Sequence, residues 1–76
     1  MDRKIRVSAY SGGKVDERPL TLHVDDRVIE VEVMEKWVTE DFNTGKRRRY
    51  FRLQDPEGFE YLVYQEEETS DWFLRM

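Results

Sequence analysis

Lys46-Arg47-Arg48-Arg49-Tyr50-Phe51-Arg52-Leu53-Gln54-Asp55-Pro56-Glu57-Gly58-Phe59 is the stretch on which the fold turns. Five cations sit among its first eight residues, inside a chain with 13 basic and 17 acidic side chains and a net charge of −4. From Arg47 to Gln54 the residues alternate. Phe51 and Leu53 take one face, and Arg48, Tyr50 and Arg52 take the other, the period of a half-buried strand. Proline at the second and glycine at the fourth position of Asp55–Gly58 fit a type I turn followed by a left-handed glycine bulge. The turn predicts a hairpin with Phe59–Glu66. Inside it, Leu53 meets Tyr61 and Phe51 meets Val63. Outside, Arg52 meets Leu62, Tyr50 meets Tyr64 and Arg48 meets Glu66.

The rest of the chain carries the same period of two. Ile5, Val7 and Ala9 alternate with Arg6 and Ser8 in a strand over about 4–10. Pro19 opens a second strand with Leu20, Leu22 and Val24 on one face. Asp25-Asp26 is a short turn. Ile29, Val31 and Val33 alternate with Glu30 and Glu32 in a third strand that runs to Trp37 or Val38. Asn43-Thr44-Gly45 supplies turn chemistry, and Asp71–Met76 is a last short strand. If 38–46 closes a hairpin, Trp37 lies opposite Arg47, Val33 faces Phe51 and Val31 faces Leu53. Glu35 then meets Arg49 on that face. Outside, Glu32 meets Arg52, Met34 meets Tyr50 and Lys36 meets Arg48. Phe73 falls beside Tyr64, Leu74 points inward and Trp72 covers a barrel end.

With no helix to cover a flat sheet, five to six short antiparallel strands favour an all-β fold, a small barrel or a strongly curved, rolled sheet. The 76 residues make one domain, and a domain this small buries only about 60% of its unfolded surface. Its 13% aromatic content argues against disorder despite 39% charged residues. The absence of Cys excludes disulfides and thiolate metal sites, and a single His excludes a multi-histidine site. The longest apolar run, Tyr61–Tyr64, is too short to span a membrane. Met1-Asp2-Arg3-Lys4 leads into no apolar segment of a secretory signal. A soluble cytoplasmic protein is expected.

Met34, Tyr50, Leu62, Tyr64 and Phe73 fall together on the outer face. A contiguous apolar patch marks an interaction site, and aromatics and Met are enriched at protein interfaces. The expected function is therefore a non-catalytic module that binds another protein through this patch, unless the N-terminal strand or the loop 11–18 covers it. The alternative is single-stranded nucleic-acid binding through Lys46, Arg47, Arg48 and Arg49, with Trp37 or Tyr50 stacking on bases. Net charge and the acidic clusters Asp25–Asp26, Glu30–Glu35 and Glu66–Glu68 work against it. A monomer, or a weak homodimer through an open strand edge, is expected. His23 fits a surface or half-buried structural role better than a catalytic one. Asp25-Asp26 lacks the other oxygen ligands of a calcium loop. Ser11-Gly12-Gly13-Lys14 lacks the spacing and helix of a phosphate loop. No enzyme activity, cofactor or metal is expected.

Pro19-Leu20-Thr21-Leu22, Val33 with Trp37, Tyr50-Phe51-Arg52-Leu53, Gly58 and Trp72-Phe73-Leu74 fall in the order of a small bacterial β domain of unknown function, which the chain resembles over about 18–75. That family occurs as short stand-alone proteins and at the C-terminus of some proteins related to error-prone Y-family DNA polymerases. The resemblance implies an accessory role in DNA repair or mutagenic replication. The chain departs from the family at His23, where an aromatic is frequent, and in its acidic balance.

Overall fold

Alternating side chains along short segments give seven strands in the computed structural model, which describes residues 2–10 and 18–75. They are β1 (Asp2–Tyr10), β2 (Arg18–Val24), β3 (Arg27–Glu30), β4 (Glu32–Glu40), β5 (Arg47–Gln54), β6 (Glu60–Glu66) and β7 (Trp72–Arg75). The protein is all-β, a single curled antiparallel sheet in the order β3-β2-β1-β7-β6-β5-β4. Ser11-Gly12-Gly13-Lys14, the loop 11–18 apart from Arg18, and Met76 lie outside the described residues. Asp2–Ile5 at the start of β1 pair with β7, and Arg6–Tyr10 pair with β2, so β1 joins the two halves of the sheet.

The seventh strand arises where five to six were expected, because the third strand divides at Val31. Its first half, β3, pairs with β2 at one edge of the sheet. Its second half, β4, pairs with β5 at the other edge. The chain thus crosses from edge to edge within one residue, which rolls the sheet and brings β2 near β4. The alternation survives the bend. Ile29 is buried, and Val31 and Val33 pack against the same core.

That core fills the concave side. It consists of Ile5, Leu22, Ile29, Phe51, Leu53, Val63 and Trp72, with Val7, Val24, Tyr61 and Leu74 packed against it. Trp72 lies within this core rather than over a barrel end. Its ring sits 5.5 Å from that of Phe51.

Three turns fix the register. Asp55 Oδ1 accepts the N–H groups of Glu57 and Phe59, both at 2.9 Å. Gly58 takes a φ of 92°, a left-handed value that glycine adopts without Cβ strain. The β5–β6 pairs then fall where the turn chemistry puts them: Leu53 with Tyr61, Phe51 with Val63, Tyr50 with Tyr64 and Arg48 with Glu66. Asp25 supplies the left-handed residue of the two-residue β2–β3 turn with a φ of 55°, a conformation Asp tolerates better than most residues.

The β4–β5 hairpin departs from the expected register. Asp41 Oδ1 accepts from the backbone N–H of Asn43 at 2.8 Å, and the Gly45 N–H bonds back to the Asp41 carbonyl at 2.7 Å. This tight loop lets Val38, Thr39 and Glu40 pair with Arg49, Arg48 and Arg47. Nearer the bend, Val33 pairs with Leu53 rather than Phe51, and Glu32 with Gln54 rather than Arg52. Between Val33 and Glu35 the register shifts at a bulge that takes in Met34. One extra residue reverses the face of everything beyond it. Trp37 therefore turns outward to meet Tyr50, Glu35 meets Arg52, and Lys36 turns inward opposite Phe51. The expected pairs Trp37–Arg47, Met34–Tyr50, Lys36–Arg48 and Glu35–Arg49 do not form.

Candidate functional site

On the outer face, opposite residues of four neighbouring strands build one row: Trp37 of β4, Tyr50 of β5, Tyr64 of β6 and Phe73 of β7. Directly opposite side chains lie close enough to touch. Ring centroids are 5.5 Å apart for Trp37–Tyr50, with planes within 6°, and 5.1 Å for both Tyr50–Tyr64 and Tyr64–Phe73. Guanidinium groups flank the row. The Arg48 guanidinium lies 4.7 Å over the Tyr64 ring and donates to Glu66 at 2.9 Å. Arg75 donates to the Tyr50 hydroxyl at 3.1 Å. The Tyr64 hydroxyl donates to Asp2 at 2.5 Å.

This row buries the centre of the expected protein-binding patch. Tyr50 is 6% exposed and Tyr64 3%. They face outward as the alternation implies, but their rings are covered by one another and by Trp37, Phe73 and Arg48. Leu62 is half-buried one rung away, beside Arg52 and Arg75. Phe73 is half-buried at the end of the row. Met34, 47% exposed, is carried off the row by the bulge. The five residues therefore do not form one accessible surface.

The cations of the basic run are divided as well. Arg48 is committed to Glu66 and Tyr64. Arg47 lies between Glu40 at 4.0 Å and Glu67 at 3.8 Å. Arg52 donates to Glu60 at 3.0 Å and lies 3.7 Å from Glu35. A hydrogen bond with Tyr50 leads the causes that raise the Arg48 pKa, and the bond to Glu60 leads for Arg52. Among the described residues, Lys36, Lys46 and Arg49 have no ion pair. Tyr50 lies beneath Trp37 and offers no face for a base, whereas Trp37 remains 37% exposed.

Burial, and then the bond to Asp2, push the Tyr64 phenol up to about 12. Burial and the Asp55 carboxylate, 3.0 Å from its hydroxyl, also raise Tyr61. His23 is half-buried with Nε2 3.0 Å from Ser8 Oγ. Among the described residues no group of acidic, His or Cys side chains is placed to hold a metal ion, and no helix is long and apolar enough to cross a membrane.

Sequence reasoning allowed an open strand edge but did not place it. β4 ends the sheet order, and every side chain from Met34 to Glu40 is exposed. Asp41 donates its N–H to the Lys46 carbonyl at 2.9 Å. Bonded and non-bonded pairs alternate along an antiparallel ladder, so Thr39–Arg48 and Trp37–Tyr50 are bonded pairs. The N–H and C=O groups of Lys36, Val38 and Glu40 consequently point away from β5, off the open edge. The bond from the Glu67 N–H to the Arg47 carbonyl at 3.1 Å fits this phase, since it turns the Arg47 backbone toward β6. Beside the edge runs a groove of about 370 Å³ lined by Lys36, Val38, Arg49 and Phe51. One signal for this was in the sequence. Trp37 and Val38 are adjacent apolar residues, and no single phase of a period of two accommodates both. Compared with protein-family models, curated proteins and solved structures, the chain matches none.

Proposed function

We propose that the domain is a non-catalytic, cytoplasmic protein-binding module that takes an extended polypeptide segment onto the open edge of β4. The observation that carries this reading is the outward-facing backbone of Lys36, Val38 and Glu40, bordered by exposed Met34, Trp37, Val38 and Phe42. Unpaired strand edges are templates for strand addition. Main-chain bonds there supply affinity, and the side chains on either face supply selectivity. Relative to the outer patch, the binding site moves one strand over. Met34 keeps its role, Trp37 joins it, and Tyr50 and Tyr64 become the support beneath Trp37.

A photo-crosslinking residue at Thr39 tests the reading. It is expected to form adducts with other polypeptide chains, and Val38→Pro is expected to remove them. The Val38 N–H faces solvent and bonds to nothing in β5, so proline there blocks the edge with little cost to the fold. Adducts formed from position 62 and not from position 39 would return the site to the outer patch.

A second reading, single-stranded nucleic-acid binding, is favoured by Lys46 and Arg49 lacking ion pairs and by the exposed ring of Trp37. It accords with the accessory role in DNA repair or mutagenic replication that the family resemblance implies. It predicts quenching of Trp37 fluorescence by oligonucleotides, with affinity falling steeply as salt rises. Unchanged Lys46 and Arg49 amide resonances at low salt would exclude it.

A further inference from the structure

Resting on the strand-addition reading, we propose that the polypeptide taken onto β4 is a second copy of this chain, paired antiparallel about a two-fold axis at Val38. Outward-facing residues must meet outward-facing residues in such a pairing, which leaves few registers. An axis at Lys36 opposes lysine to lysine, and one at Glu40 opposes glutamate to glutamate. An axis at Trp37 sets Lys36 against Val38 and leaves Glu40 facing Met34. The axis at Val38 alone sets opposite charges together: Lys36 meets Glu40 of the second copy, and Glu40 meets its Lys36. These two pairs flank a central contact between the two Val38 side chains.

The same register covers the exposed apolar residues of this edge. Met34, 47% exposed in the bulge, and Phe42, 94% exposed in the turn after β4, lie at the two ends of the paired segment. Trp37 lies opposite Thr39 and diagonal to the other Trp37, within reach of aromatic side chains. The row of four rings on the outer face then continues into the row of the second copy. Glu35 falls opposite Asp41, a like-charged pair, but each is answered within its own chain. Glu35 lies 3.7 Å from Arg52, and Asp41 caps the backbone of its loop. A two-fold contact of this kind is closed, so the β4 edge is used up and pairing at that edge stops at two.

Charge exchange tests the register. In sedimentation equilibrium the native chain is expected to dimerise. Lys36→Glu or Glu40→Lys alone places like charges together at two points, which weakens dimerisation by about tenfold or more. The double variant Lys36→Glu/Glu40→Lys restores opposite charges and is expected to return to within about threefold of the native constant. Near-ultraviolet circular dichroism reports that each variant keeps its fold. Amide exchange adds a second signature. Lys36, Val38 and Glu40 should be protected in the native dimer and unprotected in either single variant, while Trp37 and Thr39 stay protected by β5 in all. A native chain that remains monomeric at high concentration, or a Lys36→Glu variant that dimerises as the native chain does, overturns the proposal. If such a monomer still gives Thr39 adducts with other polypeptides, strand addition at β4 stands and only the second copy is wrong. If it gives none, both fall.

Discussion

Replacing Phe51 with alanine is expected to lower the unfolding free energy by about 3–5 kcal/mol. Phe51 is buried at the centre of β5, flanked by Val63 of β6 and packed on the Trp72 ring. Truncation removes the burial of an aromatic ring and leaves a cavity. Leu53, Val63 and Trp72, held by the sheet on both sides, cannot collapse to fill it. At about 0.05–0.15 kcal/mol per residue, a chain of 76 residues has roughly 4–11 kcal/mol in all. The loss is therefore a large fraction of the total. It corresponds to a fall in melting temperature of about 12–40 °C. Urea denaturation should show the midpoint falling with an unchanged slope, the mark of lost stability without a changed denatured state. A loss below about 1 kcal/mol would mean that Phe51 is not in the packed centre of the sheet.

Tyr64→Ala is expected to cost about 3 kcal/mol, although the residue sits on the outer face. It is the one ring of the row with stacked or tilted ring contacts on both sides and a guanidinium above it. Each such ring contact contributes about 0.5–1.5 kcal/mol beyond the area it buries. Were Tyr64 part of an accessible docking patch, its truncation would weaken binding and leave stability within about 0.5 kcal/mol. Denaturant unfolding therefore separates the two roles. Tyr64→Phe keeps the rings and loses only the bond to Asp2, at a cost of about 1 kcal/mol.

The phenylalanine variant also carries a pH signature. The Tyr64 phenol ionises near pH 12 in the folded chain and near pH 10 when unfolded. Between those values the unfolded chain has lost a proton that the folded chain still holds. The stabilisation is complete below about pH 10 and is lost as pH rises toward 12. Native protein should lose stability through that window, and Tyr64→Phe should lose less. Tyr61, whose phenol is raised by burial and by Asp55, contributes to the alkaline loss that remains in the variant.

The basic run that stood out in the sequence belongs to the middle of the sheet. Its alternation identified Phe51 and Leu53 as core, and the Asp55–Gly58 turn fixed the β5–β6 register to the residue. From that register came Arg48 with Glu66 and Tyr50 with Tyr64, both present in the fold. The burial of Tyr50 and Tyr64 was not legible, because alternation assigns a face and says nothing of what covers it. Phe73 at one end of the row and Trp37 at the other decide that, and Trp37 reached the outer face only through the bulge.

Alternation and turn chemistry were enough to place Ile29, Phe51, Leu53 and Val63 in the core and to pair β5 with β6, but not to assign faces beyond Met34. Period two, β-branched residues and turn chemistry act within a few positions, so Ile29, Val31 and Val33 kept their shared face even as the chain bent between strands. The partners of β3 and β4, and the faces taken by Glu35, Lys36 and Trp37, depended on the assembled sheet. The division at Val31 and the bulge at Met34 leave hydrophobic content unchanged and are selected by the curl of the sheet, a requirement on residues far apart in the chain. Those two irregularities put β4 at the edge and set Lys36, Val38 and Glu40 facing outward, which is why the candidate site became visible only in the assembled fold.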